Sequence, residues 1–118
     1  MARNLTRNHE HYRKALKRLP LGVASNFRFW GEERTIYVKE GRGARVTDLD
    51  DNVYVDYRMG YGPAILGYAD ARVDEAARRG MEVGGVFALS TEREYTVAER
   101  IAKMVPAAEL VRFSNSGT

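Results

Sequence analysis

The residues best suited to chemistry stand at the end of the sequence. Leu110-Val111-Arg112-Phe113 reads as an apolar strand and runs into Ser114-Asn115-Ser116-Gly117-Thr118. A strand followed by Ser-Gly-Thr is a candidate phosphate loop. Small residues let backbone N–H groups approach an anion closely, and the Ser and Thr hydroxyls add donors. A helix normally opens there, and its first amides and its dipole complete the anion site; here that helix would follow Thr118. Taken alone, Ser-Gly-Thr is common and a weak signal. A second set lies in the irregular stretch Gly22 to Trp30, which carries Ser25 and Arg28 among Phe27, Phe29 and Trp30. An Arg can take a carboxylate through two parallel charge-assisted hydrogen bonds, although by itself Arg28 reads as a surface charge in an aromatic loop. His9 and His11 form a His-x-His pair with no third metal ligand in evidence. The sequence has no cysteine, which excludes disulfides and thiolate metal sites.

These residues need elements to position them. Tyr12, Ala15, Leu16 and Leu19 share one helical face, with Asn8 as the expected cap, Lys17 and Arg18 in the last turn, and Pro20 and Gly22 as the stop. Short strands are expected at Thr35–Lys39, Ala44–Leu49 and Val53–Tyr57. Gly41-Arg42-Gly43 and Asp50-Asp51-Asn52 supply the turns, giving a small antiparallel meander. Met59 to Ala69 holds too many glycines, and a proline, for a regular helix. A helix from Ala71 to Val83 follows, with Asp70 as its cap and Gly84-Gly85 past its end. A second starts at Thr91, where Glu94 completes a capping box. Its expected buried face is Tyr95, Ala98, Ile101, Ala102 and Val105, and Pro106 ends it.

Hydrophobic residues make up 44% and charged residues 30% of the 118, a globular composition. The net charge of +3 is mildly basic, and Arg13, Lys14, Lys17 and Arg18 crowd the first helix. A solvated helix face is the plain reading of that charge. A small basic nucleic-acid-binding module is the alternative from a different class, and no nucleic-acid motif supports it. No signal-peptide core and no run of transmembrane length is visible, so a soluble, cytoplasmic protein without a membrane role is expected. A domain that stops on an apolar strand leaves that strand without neighbours, so the sequence reads as part of a longer protein. Alone, the segment is expected to be unstable, because its helices need a main sheet to cover them.

In order, the basic helix, the Gly-Val-x-Ser-x-x-Arg loop, Thr47-Asp48-Leu49-Asp50-Asp51-Asn52-Val53-Tyr54-Val55-Asp56-Tyr57, Gly62-Pro63-Ala64-Ile65-Leu66-Gly67, two helices and Asn-Ser-Gly-Thr resemble the start of class III aminotransferases. Within that family the resemblance is nearest to the glutamate-1-semialdehyde 2,1-aminomutases, and it runs from about Tyr12 to Thr118. It implies an α/β, fold-type I architecture dependent on pyridoxal 5'-phosphate. Residues 1–58 would form the N-terminal helix, loop and meander of the small domain, and 59–118 the start of the large cofactor-binding domain. It also implies a homodimer acting on a small amino acid or amino aldehyde, with Ser116, Gly117 and Thr118 on the cofactor phosphate. Ser25 and Arg28 would meet the substrate carboxylate, and Tyr61 would stand where an aromatic residue flanks the substrate. The Schiff-base lysine of the family lies further downstream. None of Lys14, Lys17, Lys39 and Lys103 matches its motif, so no catalytic residue is assigned here and the segment alone is expected to be inert. The stretch Tyr68-Ala69-Asp70-Ala71 departs from the family's His-x-His-Pro, and Asn26 replaces a usual Pro. These departures leave open a transaminase with another amino donor and a keto-acid acceptor.

Overall fold

A computed structural model describes residues 3–115. Ser116, Gly117 and Thr118 lie outside the described residues. The chain divides into two compact units, 1–77 and 78–118.

The first unit opens with α1 (Thr6–Ala15). Its cap position is Leu5, which offers no side-chain acceptor; Asn4, just before it, accepts through Oδ1 from the Thr6 amide at 3.1 Å and the Thr6 hydroxyl at 2.7 Å. Asn8, the expected cap, lies inside the helix and is fully buried. Its side chain is taken by long-range partners, and Asn4 stands nearer the first free amides. The helix also ends sooner than its apolar spacing suggests. Leu16 and Leu19 fall in the turn after it and are exposed, while Tyr12 is buried at 5%.

The meander forms as expected: β1 (Val38–Arg42), β2 (Arg45–Asp48) and β3 (Val53–Val55) pair antiparallel in the order β1-β2-β3. The β2–β3 turn holds Asp51 at φ 68°, a left-handed angle that Asp tolerates better than most residues. β1 starts and ends about three residues later than the alternation suggests. Thr35 and Tyr37 are drawn away from the ladder. The Thr35 hydroxyl donates to the Gly31 carbonyl at 2.8 Å, and the Tyr37 amide donates to Asn8 Oδ1 at 2.7 Å. Gly41 is strand and not turn. A Cβ there would sit 2.7 Å from the Tyr68 ring, so this glycine serves close packing.

Residues 59–69 form no regular helix, as expected, and contain one 3-10 turn at Met59–Tyr61. An isolated bridge ties this stretch to the meander, with Gly43 and Tyr68 exchanging two amide hydrogen bonds of 2.9 Å. The buried centre of this unit is largely polar: Asn8, Thr35 and Asp48 are fully covered, joined by Tyr12 and Val23.

Helix α2 (Ala71–Glu82) crosses the boundary between the units. Asp70 caps it as expected, accepting from the Arg72 and Val73 amides at 3.0 and 3.4 Å. In the second unit α3 (Glu92–Met104) begins after Thr91, whose amide donates to Glu94 Oε1 at 3.0 Å. The expected buried face of α3 is only partly covered by described residues, with Tyr95 69% and Val105 49% exposed. Leu110–Phe113 is not a strand, and Leu110 is 95% exposed. A strand needs a neighbouring backbone to satisfy its amides and carbonyls, and no described segment pairs with this one. Among the described residues no helix is long and apolar enough to cross a membrane.

Candidate functional site

The site grows from two turns of the first unit. One is the 3-10 turn Asn26–Arg28, closed by the Arg28 amide donating to the Ser25 carbonyl at 2.9 Å. Ser25 and Arg28, paired in the sequence reading, therefore stand at the two ends of one turn. Ser25 is half-buried and Arg28 exposed. The Arg28 guanidinium makes no hydrogen bond or ion pair to a described residue.

The other turn carries Tyr61. Met59, Gly60 and Tyr61 all have left-handed angles, φ 48°, 61° and 66°, followed by Gly62 at φ 120°. For the two non-glycine residues this costs about 1–2 kcal/mol each. Such strain persists only where other contacts hold it, and here they are visible. The Tyr61 hydroxyl donates to the Phe27 carbonyl at 2.9 Å, and the rings of Phe27 and Tyr61 meet edge to face at 6.0 Å. The structure thus brings Tyr61 against the turn that holds Ser25 and Arg28.

The residue joining the turns is Arg58, which the sequence reading passed over. Its Nη1 donates to the Phe27 carbonyl at 3.2 Å and to the Tyr61 hydroxyl at 2.6 Å. Its guanidinium lies over the Trp30 ring at 4.6 Å and near the Tyr61 ring at 5.1 Å. The available signal was an arginine set close to aromatic residues in Asp56-Tyr57-Arg58-Met59-Gly60-Tyr61.

One carboxylate, Asp56, fixes Arg58, and a second, Asp48, fixes the β2–β3 turn. Asp56 accepts from the Arg58 amide at 2.7 Å and from the Tyr68 hydroxyl. The Tyr68 bond chiefly holds the Asp56 carboxyl below its usual range, and the same bond pushes the Tyr68 phenol up. Asp48 is fully buried. It accepts from the Asp50 and Asn52 amides at 2.9 Å, the Asn52 side chain at 2.9 Å and the Tyr54 hydroxyl at 2.8 Å. Burial pushes its carboxyl up, but these donors outweigh burial and hold it below its ordinary value. Burial first, and then the bond to Asp48, push Tyr54 up to about 12.

Asp50 Oδ2 takes the Asn8 amide at 2.9 Å and the Asn8 side chain at 2.8 Å. Asn8 passes the tie to the Tyr37 amide, and the Tyr37 hydroxyl donates to the Gly22 carbonyl at 2.7 Å. This chain of bonds secures the start of the loop that carries Ser25 and Arg28. The described residues include no group of three or more His, Asp or Glu placed to hold a metal.

An N-terminal helix is thus pinned to a three-stranded meander, an Arg-bearing turn is held against a glycine-rich turn, and two capped helices follow in the sequence. The family model of class III aminotransferases matches residues 29–118, and the chain belongs to that family. It is 43% identical over 121 aligned residues to glutamate-1-semialdehyde 2,1-aminomutase of Pelotomaculum thermopropionicum, covering all of this chain and 28% of that protein. The corresponding enzyme of Thermoplasma volcanium is 41% identical over 109 residues, covering 92% of this chain and 26% of the relative. Among solved structures, an omega-transaminase from Sphaerobacter thermophilus superposes with a TM-score of 0.88 at 32% identity, covering 98% of this chain and 27% of that one. A glutamate-1-semialdehyde aminomutase from Pseudomonas aeruginosa gives 0.73 at 32% identity, covering 82% and 22%. The chain spans about a quarter of the length of the curated relatives it matches. These likenesses establish the fold as part of the α/β, fold-type I aminotransferase architecture.

Proposed function

We propose that this chain supplies the N-terminal part of a pyridoxal-phosphate-dependent aminotransferase or aminomutase that acts on a small amino acid or amino aldehyde. The pattern for it is glutamate-1-semialdehyde 2,1-aminomutase, the name its curated relatives carry. The observation that carries the proposal is the contact between the two turns. Ser25 and Arg28 occupy one, Tyr61 the other, and both meet at the Phe27 carbonyl. In this reading Arg28 takes the substrate carboxylate through its unengaged donors, Ser25 adds a hydroxyl, and Tyr61 shields the reacting carbon from water.

Ser116, Gly117 and Thr118 hold the cofactor phosphate. Two hydroxyls, and backbone amides opened by a glycine, are a donor set that suits a phosphate. The bound cofactor withdraws electrons from the substrate carbon, and the protein binds and orients. Residues 1–58 fall in the small domain and 59–118 at the start of the large one. The whole enzyme is a cytoplasmic homodimer.

A second reading, a transaminase passing the amino group to a keto acid, is favoured by one observation. The omega-transaminase structure matches this chain over a larger share, and with a higher TM-score, than the aminomutase structure does. The test uses the complete enzyme saturated with pyridoxal phosphate. Isomerisation of glutamate-1-semialdehyde with no added keto acid supports the aminomutase reading. Activity that requires pyruvate or 2-oxoglutarate supports the transaminase. An enzyme that retains no cofactor after dialysis overturns both.

A further inference from the structure

We infer that Arg58 is a positioning residue. It clamps the Ser25–Arg28 turn onto the Tyr61 turn, and so sets where Arg28 presents its guanidinium to a carboxylate. The inference rests on the functional reading above and names a residue which that reading does not use.

The geometry is that of a clamp and not of a ligand-binding arginine. One nitrogen, Nη1, serves both the Phe27 carbonyl and the Tyr61 hydroxyl, while the Tyr61 hydroxyl also donates to that carbonyl. Three groups therefore close a triangle, and its apex is the carbonyl of the residue immediately before Arg28. The guanidinium carbon lies over the Trp30 ring at 4.6 Å, so the cation is held by an aromatic from the far end of the same loop. No ion pair among the described residues includes Arg58. Its own backbone is fixed independently, its amide donating to Asp56, which also binds Tyr68. The clamp thus stands on the meander side and reaches across to the loop.

The left-handed run at Met59, Gly60 and Tyr61 supports the same conclusion from the backbone. Strain in two non-glycine residues is retained at the one point where Tyr61 must turn its hydroxyl toward Phe27. An arginine suits the clamp better than a lysine. Its delocalised plane can stack on Trp30 while an edge nitrogen donates to two acceptors.

The test uses the complete holoenzyme and follows the cofactor absorbance in single turnover with glutamate-1-semialdehyde, L-glutamate and L-alanine, whichever the wild type turns over. Each titration yields a maximal rate and a half-saturating concentration. For Arg58→Met the half-saturating concentration is expected to rise about tenfold, with the maximal rate held within about threefold and the cofactor absorbance unchanged. Arg58→Lys keeps the cation over Trp30 and one donor, and should recover part of the loss. Tyr61→Phe removes one corner of the triangle, so adding it to Arg58→Met should cost less than the sum of the two single changes.

Hydrogen exchange of residues 25–30 gives a readout free of the cofactor, and it should quicken in Arg58→Met. A wild-type enzyme that turns over while Arg58→Met leaves half-saturation unchanged overturns this inference alone. So does strict additivity with Tyr61→Phe. A wild-type enzyme that binds no cofactor overturns the functional reading instead, and the substrate side of this inference with it.

Discussion

Replacing Asp48 with Ala should loosen the N-terminal helix and the meander together. Asp48 is fully buried and accepts from two backbone amides, one amide side chain and one phenol. A hydrogen bond to a charged group contributes about 1.5–3 kcal/mol net, and four acting as a unit are not additive. Asn52 and Tyr54 are half-buried, so water can reach some of the orphaned donors. A loss of about 3–5 kcal/mol is the reasonable expectation, comparable to breaking a buried pair. Hydrogen exchange in the complete enzyme, followed by mass spectrometry, resolves this locally. Peptides covering 6–15 and 45–57 should exchange about a hundred to several thousand times faster, since each 1.4 kcal/mol is a factor of ten. The control is Asp51→Asn in the same turn. Its pairs with Arg7 and Lys39 are exposed, and the change should stay within about 0.5 kcal/mol.

Acid adds a second signature. The folded carboxyl titrates below its ordinary value of 3.8, so the unfolded chain binds the proton first as pH falls. The stabilisation is complete above that value and is lost as pH drops through the folded one. Protection of these peptides should therefore fall on acidification below about pH 4 in the wild type, and less steeply in Asp48→Ala. A rise in exchange under tenfold, or one spread evenly over the protein, refutes the reasoning.

Two glycine changes test close packing in the same unit. Gly22→Ala meets both a left-handed φ of 69° and the buried Tyr12 ring, 2.9 Å from the new Cβ. It should cost about 2–4 kcal/mol by denaturant titration. Gly31→Ala, at φ 94° but with open space around it, carries only the backbone part; equal losses at both positions would count against the packing argument. Gly67→Ala puts a Cβ 2.9 Å from the Gly43 carbonyl carbon and oxygen. It should break the Gly43–Tyr68 bridge, seen as rapid exchange of the Tyr68 amide; an unchanged Tyr68 amide would refute it.

What could be read in the sequence was what local chemistry decides. The Asp50-Asp51-Asn52 turn, the Asp70 cap and the Glu94 partner of Thr91 each depend on residues a few positions apart, and each formed as expected. Features settled by distant partners were not legible. Asn8 reads as a cap until Asp50 and the Tyr37 amide claim its side chain. β1 slid along the chain because Thr35 and Tyr37 bond elsewhere, and Gly41 reads as a turn until the Tyr68 ring is laid over it. Leu110–Phe113 has the composition of a strand, but composition supplies no partner. Of the proposed site residues, Ser25, Arg28 and Tyr61 were singled out by resemblance. Arg58 was not, because its meaning lies in Trp30 and Phe27, on another turn.

The stretch that carried most of the resemblance, Thr47 to Tyr57, acts on the Ser25–Arg28 loop from both sides of the meander. From Asp50 a line of hydrogen bonds runs through Asn8 and Tyr37 to the Gly22 carbonyl, at the head of the Ser25–Arg28 loop. From the other end of the same stretch Asp56 fixes the Arg58 amide, and Arg58 reaches the far side of that loop at Phe27. One meander therefore holds the loop at both ends. The Arg28 side chain, which has no described partner, is aimed by a backbone that has several. Under the proposed function, that arrangement suits a carboxylate-binding arginine. Any partner within the protein would compete with the carboxylate for its donors, so rigidity would come from the main chain around it.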